Sequence, residues 1–182
     1  SVASGWMAAG DVAHRKQLAA LSPMQRRRAV LRAAEQLVGD PYLWGGHSPH
    51  RPDPSIPVTG VDCSGLVHLA FRAAGVAVPR DAHEQWMRAR AVERPDPGDL
   101  IFLSEAGNPS KIVHVMIYAG DGGIIEAPGT GKAVHRLRVA ERLLLLDAQL
   151  RPGQQVNGQT IRFGSYISGV WRSEFAAPAM PP

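Results

Sequence analysis

Cys63, the one cysteine in the chain, stands in Asp62-Cys63-Ser64-Gly65-Leu66, and the apolar residues Leu66, Val67, Ala70, Phe71 and Ala74 follow at helical spacing up to Gly75. Asp62 reads as the N-cap of that helix, which puts Cys63 in its first turn. A thiol there meets unpaired N–H groups and the positive end of the helix dipole, and both favour thiolate. Further along, His114 interrupts the run from Ile112 to Tyr118. Alternation makes this run a strand, with Ile112, His114, Met116 and Tyr118 on one face and Val113, Val115 and Ile117 on the other. A strand-borne imidazole beside a helix-borne thiol forms the ion pair on which cysteine hydrolases depend. Each residue also has an ordinary reading, the thiol as inert and the histidine as a satisfied core or surface residue. Only the fold can bring the two together.

The elements that would do so are legible in outline. The chain has 182 residues, 20 Lys+Arg against 16 Asp+Glu, and 45% hydrophobic residues, which suits one domain with a sizeable core. Apolar runs such as Leu143 to Leu146 fall far short of the roughly 20 residues of a membrane-spanning helix. One cysteine excludes an internal disulfide framework and a four-cysteine or Cys/His zinc module. Seventeen of the twenty cations are Arg, and no aromatic-interleaved basic stripe accompanies them, which argues against a nucleic-acid partner. A first helix is expected over 22–39, with Ser22 as N-cap, Pro23 in the first turn, Val30, Leu31, Ala34, Leu37 and Val38 inward, Gly39 as stop, and its Arg-rich side toward water. The breaker-rich stretch from Asp40 to Gly60 reads as a loop. Beyond Pro97-Gly98, strands are expected at Leu100 to Leu103, Ile112 to Ala119, Ile124 to Ala127 and Ile161 to Trp171, with a hairpin turn at Gly120-Asp121-Gly122-Gly123. Helices first and strands after point to an α+β domain.

Taken together, Pro41-Tyr42-Leu43-Trp44-Gly45-Gly46, Asp62-Cys63-Ser64-Gly65-Leu66, Val78-Pro79-Arg80-Asp81, Pro97-Gly98-Asp99-Leu100-Ile101-Phe102 and His114-Val115-Met116-Ile117-Tyr118 resemble, in order and spacing, the NlpC family of bacterial cell-wall cysteine peptidases. The resemblance runs from about Ala29 to Ala133. It implies a papain-like α+β core, with the cysteine helix packed on an antiparallel sheet that bears the histidine. It also implies that Cys63 is the nucleophile and His114 the base. The third member in that family is most often His, twelve positions past the catalytic histidine, where this chain has Glu126. A carboxylate can still orient the imidazole and stabilise imidazolium. A plain two-residue turn at Asp121-Gly122 would set His114 opposite Gly129 and leave Glu126 on the other face, so a bulge or an odd-length loop is expected in this hairpin.

The same resemblance implies the substrate and its contacts. The family cuts wall peptides after a γ-linked D-Glu, before a diamino acid, and the subgroup most like this chain holds the free amine of an N-terminal L-Ala. Tyr42 and Asp62 match the amine positions, and Ser64 matches a further contact. Asp62 has its competing role as helix cap, and Ala82 replaces a Ser found in this subgroup. The expected function is therefore a γ-D-glutamyl-diamino-acid endopeptidase acting on peptidoglycan stem peptides in the bacterial envelope, with no metal or organic cofactor. The alternatives are a silent wall-binding module, an amidase or acyltransferase on the same fold, or a cytoplasmic role in recycling murein peptides. His47 and His50 give only a weak metal signal. Residues 1–20 read as a linker in which Gly5 to Val12 resembles the last strand of a Src-homology-three type module. Residues 21–175 form the catalytic unit, and 176–182 a loose tail.

Overall fold

The computed structural model describes residues 17–50 and 58–168, so the segment from Gly5 to Val12, the end of the expected last strand at Trp171 and the tail lie outside the described residues. Helix α1 spans Pro23–Glu35, capped as expected by Ser22, whose side chain takes the Gln25 N–H while Gln25 returns the bond. It stops before Gly39. Leu37 and Val38 continue as turns bonded to Ala34 and Glu35, so Leu37 stays buried while Val38 is 42% exposed. Arg27 also departs from expectation: it is 2% exposed rather than solvated, and it donates to Asp99 at 2.8 Å, the Pro97 carbonyl at 3.0 Å, Ser165 at 3.3 Å and the Ile167 carbonyl at 3.3 Å. An arginine survives burial only when its donors are matched in this way.

Helix α2 spans Cys63–Ala73 and α3 spans Ala82–Arg88, a short helix that periodicity did not reveal. Strands β1 (Arg90–Ala91), β2 (Leu100–Glu105), β3 (Asn108–Gly120), β4 (Gly123–Glu126) and β5 (His135–Arg138) follow. After them come helix α4 (Val139–Leu143), β6 (Gln155–Val156) and β7 (Gln159–Ser165). The strands pair antiparallel in the order β1-β7-β2-β3-β4-β5, with β6 paired to β7. One face of the sheet, through Leu100, Phe102, Val115, Ile117, Ala119 and Ile125, packs on α1 and α2. The other carries Ile101, Leu103, Met116, Tyr118 and Ile124 against Val139 and Leu143 of α4. Helix on sheet is thus an α+β arrangement with a core on each side.

Two irregularities in β3 set the site. Leu103 pairs with His114 but Ser104 with Ile112, which leaves Val113 unmatched and 43% exposed. This bulge corrects the expected alternation: Ile112 joins Val115 and Ile117 in the helix-side core and does not share a face with Met116 and Tyr118. At the other end, Ile117 pairs with Ile125 and Tyr118 with Ile124, but Gly120 pairs with Gly123, so Ala119 is the extra residue. Asp121 at φ 49° and Gly122 at φ 72° form the tight turn. Among the described residues, no helix is long and apolar enough to cross a membrane.

Candidate active site

The helix that carries Cys63 begins in a crowded backbone junction. A Cβ on Gly65 would lie 2.1 Å from the Gly46 carbonyl oxygen, one on Gly46 2.4 Å from that of Gly60, and one on Gly60 2.3 Å from that of Pro41. Only glycine permits chain segments this close. Asp62 N–H donates to the Gly46 carbonyl at 3.0 Å, and isolated bridges join Tyr42 and His47 to Val61. The long loop is therefore pinned at both ends to the turn that carries Cys63.

Asp62 caps α2 through Oδ1, which accepts the Gly65 N–H at 2.7 Å, while Oδ2 accepts the Gly45 N–H at 2.9 Å. Arg80 grips the same carboxylate with both ends of its fork, at 2.9 Å to Oδ1 and 2.7 Å to Oδ2. It also donates to Ser64 Oγ at 2.9 Å and the Gly46 carbonyl at 3.0 Å. These donors fill the roughly four lone-pair positions of a carboxylate. Asp81 accepts the N–H groups of His83 and Glu84 and so caps α3, and His83 Nδ1 accepts the Ile112 N–H at 3.2 Å, which anchors the bulge beside His114. Tyr42, half-buried, is raised above the usual phenol range by burial and then by the charges of Cys63 and Asp62, so its O–H stays a donor near Cys63.

Opposite stands His114. The extra residue at Ala119 slides β4 by one position, which brings Glu126 onto the face of His114. His114 Nε2 and Glu126 Oε2 are 2.6 Å apart, and Glu126 is wholly buried. That leaves the other ring nitrogen, Nδ1, free of the carboxylate, and Cys63 lies near enough to act on the imidazole. Burial disfavours a charged ring, but the interactions with Cys63 and Glu126 outweigh it and push His114 up to about 9. Burial likewise opposes ionisation of Glu126, yet His114, then Arg142 and His135, bring its carboxyl down to about 2. A thiol, an imidazole and a buried carboxylate so placed can act as a nucleophile, its base and the group that orients the base.

The structure thus brings together Cys63, His114 and Glu126 on one side of this junction and Tyr42, Asp62 and Ser64 around it. Of the loop histidines, His50 Nδ1 lies 3.0 Å from the Thr59 carbonyl and His47 Nδ1 3.4 Å from that of Gly45; neither joins a metal-like cluster among the described residues. Sequence reasoning missed Arg80 as partner of Asp62, and His135 and Arg142 as partners of Glu126. His135 is the residue paired with Glu126 across β4 and β5, a register that a four-residue strand announces only weakly.

Comparison with known proteins agrees with this geometry. The NlpC/P60 family model matches residues 39–145. The chain is 34% identical over 116 residues to the gamma-D-glutamyl-L-lysine dipeptidyl-peptidase of Bacillus subtilis, covering 63% of this chain and 36% of that protein. It is 39% identical over 111 residues to the peptidoglycan endopeptidase RipB of Mycobacterium tuberculosis, covering 58% and 44%. The solved structure of the peptidoglycan hydrolase RipB from M. tuberculosis aligns with a TM-score of 0.60 at 30% identity, over 81% of this chain and 67% of that one. The chain accordingly spans less than half the length of these two curated relatives. With the match extending over more than half of the sequence, this chain belongs to the NlpC/P60 family.

Proposed function

We propose that this protein is a cysteine endopeptidase that hydrolyses the γ-D-glutamyl to diamino-acid bond of peptidoglycan stem peptides in the bacterial envelope. The observation that carries the reading is the placing of Cys63 near His114, whose Nε2 lies 2.6 Å from the Glu126 carboxylate. The names of the relatives support the substrate class. In the proposed cycle the Cys63 sulfur attacks the carbonyl carbon, and the C–N bond breaks as His114 gives its proton to the leaving amine. Water then enters as His114 takes a proton back, and the thioester is cleaved. The Cys63 N–H, first in α2 and without a partner inside the helix, and the Tyr42 O–H are the proposed oxyanion donors, each worth about 3 kcal/mol in such sites. A silent wall-binding module would have no use for this assembled series, and an amidase or acyltransferase would share the thioester but release different products.

The test is mass spectrometry of L-Ala-γ-D-Glu-diaminopimelate incubated with the protein, beside its N-acetylated form and a Cys63→Ala control. Release of the dipeptide that depends on Cys63 is expected, and its absence from both peptides overturns the peptidase. The two forms also weigh the amine subsite at Tyr42 and Asp62. An ammonium must compete there with Arg80, so exclusive cleavage of the free form assigns it to Asp62, whereas equal cleavage leaves Asp62 to the scaffold alone.

A further inference from the structure

Glu126 has more partners than the orientation of one imidazole requires. From β3, His114 Nε2 meets Oε2 at 2.6 Å; from β5, His135 Nε2 meets Oε1 at 3.2 Å; from α4, Arg142 Nε donates to Oε1 at 2.9 Å and to Oε2 at 3.2 Å. The other charged groups of these elements face elsewhere: Arg136 pairs with Glu35, Arg138 lies against Gly122, and Glu141 accepts the Arg138 N–H. Arg142 and His135 are 31% and 39% exposed and cover a carboxylate that has no exposure of its own. A carboxyl so deeply buried tends to hold its proton unless cations face it. A protonated Glu126 would itself donate and could not stabilise imidazolium.

We propose that Arg142 is a positioning residue of this site: it keeps the Glu126 carboxylate charged and fixes its rotation, so that Oε2 remains turned to His114, with His135 as a weaker brace on the same side. The inference rests on the reading of Cys63, His114 and Glu126 as the catalytic set. It has two electrostatic consequences of the same sign. Without the guanidinium, Glu126 takes up a proton at higher pH. His114, relieved of a neighbouring cation, also keeps its proton to higher pH. Both limbs of the activity profile therefore move upward.

The experiment measures kcat/KM against pH on L-Ala-γ-D-Glu-diaminopimelate, and in parallel the rate of Cys63 alkylation by iodoacetamide against pH, for wild type, Arg142→Gln, Arg142→Lys and His135→Gln. Glu126→Gln is included alone and combined with Arg142→Gln. Arg142→Gln is expected to lower kcat/KM at neutral pH about tenfold and to displace both profiles upward by about one pH unit, the size an adjacent charge commonly imposes. Arg142→Lys keeps the charge and so keeps the wild-type profile, and His135→Gln gives a smaller displacement in the same sense. In the Glu126→Gln background, Arg142→Gln should give a smaller displacement than in wild type, since only the direct relief of His114 from the cation remains. Profiles that superimpose on wild type at any amplitude, or an equal displacement without Glu126, overturn the proposal, as does a displacement in Arg142→Lys as large as in Arg142→Gln. If no peptide is cut by the wild type, the peptidase reading fails by itself, and the alkylation profiles still decide the role of Arg142.

Discussion

Asp62 puts a negative charge one residue before Cys63, and Arg80 neutralises it with a two-point grip while reaching Ser64 and Gly46 as well. Arg80→Gln is therefore expected to slow iodoacetamide alkylation of Cys63 several-fold. It should also lower stability to urea by about 1–2 kcal/mol, a figure reduced for the one-third exposure of the arginine. Further in, the roles differ in kind. Cys63→Ala and His114→Ala should each remove turnover, roughly 10³-fold or more, while Glu126→Ala should retain part of it, as is seen when an orienting member is lost and the nucleophile and base remain. The same residues give stability a pH dependence. Glu126, depressed to about 2 in the fold, stabilises fully above its unfolded value of ~4.3, and that contribution is lost as pH falls toward 2. His114, raised to about 9, stabilises fully below its unfolded value of ~6.5, and loses that contribution as pH rises toward 9. The excess stability of wild type over a His114→Ala, Glu126→Ala double variant should thus peak between about pH 4.5 and 6.5 in thermal melts.

At the scale of elements, the β3–β4 hairpin decides whether a carboxylate reaches the histidine. Deleting Ala119 would remove the bulge yet keep Tyr118 opposite Ile124 and Ile117 opposite Ile125, so Glu126 would stay on the face of His114. Such a deletion should therefore cost less activity than Glu126→Ala. Replacement of Ala119 by Ser, which keeps the bulge as well, should cost less still. This hairpin also shows what was readable beforehand. The twelve-residue spacing from His114 to Glu126 and the turn Gly120-Asp121-Gly122-Gly123 required an extra residue, and it is present. The bulge at Val113 was not readable. Ile112 to Tyr118 alternates without a break in type, and only the pairing of Ser104 with Ile112 reveals the slip. α3, β5 and α4 have seven, four and five residues, too few for a period to emerge, so their side chains His83, His135 and Arg142 went unassigned. Glycine at 65, by contrast, has a role that a helix pattern hides. Gly65→Ala should destabilise by several kcal/mol in urea unfolding, because its Cβ would stand 2.1 Å from the Gly46 carbonyl oxygen.

Across the whole molecule, the parts of the chain that match the family do not suffice to close the sheet. The match ends at residue 145, yet β7 lies beyond it and pairs with both β1 and β2. The buried Arg27 reads the same closure from the other side, since its guanidinium meets Ser165 and the Ile167 carbonyl just after β7 as well as Asp99 just before β2. The sequence masked this residue inside an arginine run that resembles a solvated helix face. Arg27→Met should destabilise by about 3–5 kcal/mol in urea unfolding, since it leaves the buried Asp99 carboxyl without its cation.

The place of β7 in the sheet also has a meaning in time. Leu103 of β2 waits for Ile161, so one side of β2 has no partner until the chain has been made well past every residue of the proposed catalytic series. Pairings that bridge such distances form late and slowly. A nascent chain that already carries Cys63, His114 and Glu126 therefore cannot hold them in a finished scaffold, and the proposed site gains its geometry only once the residues of β7 have been made as well.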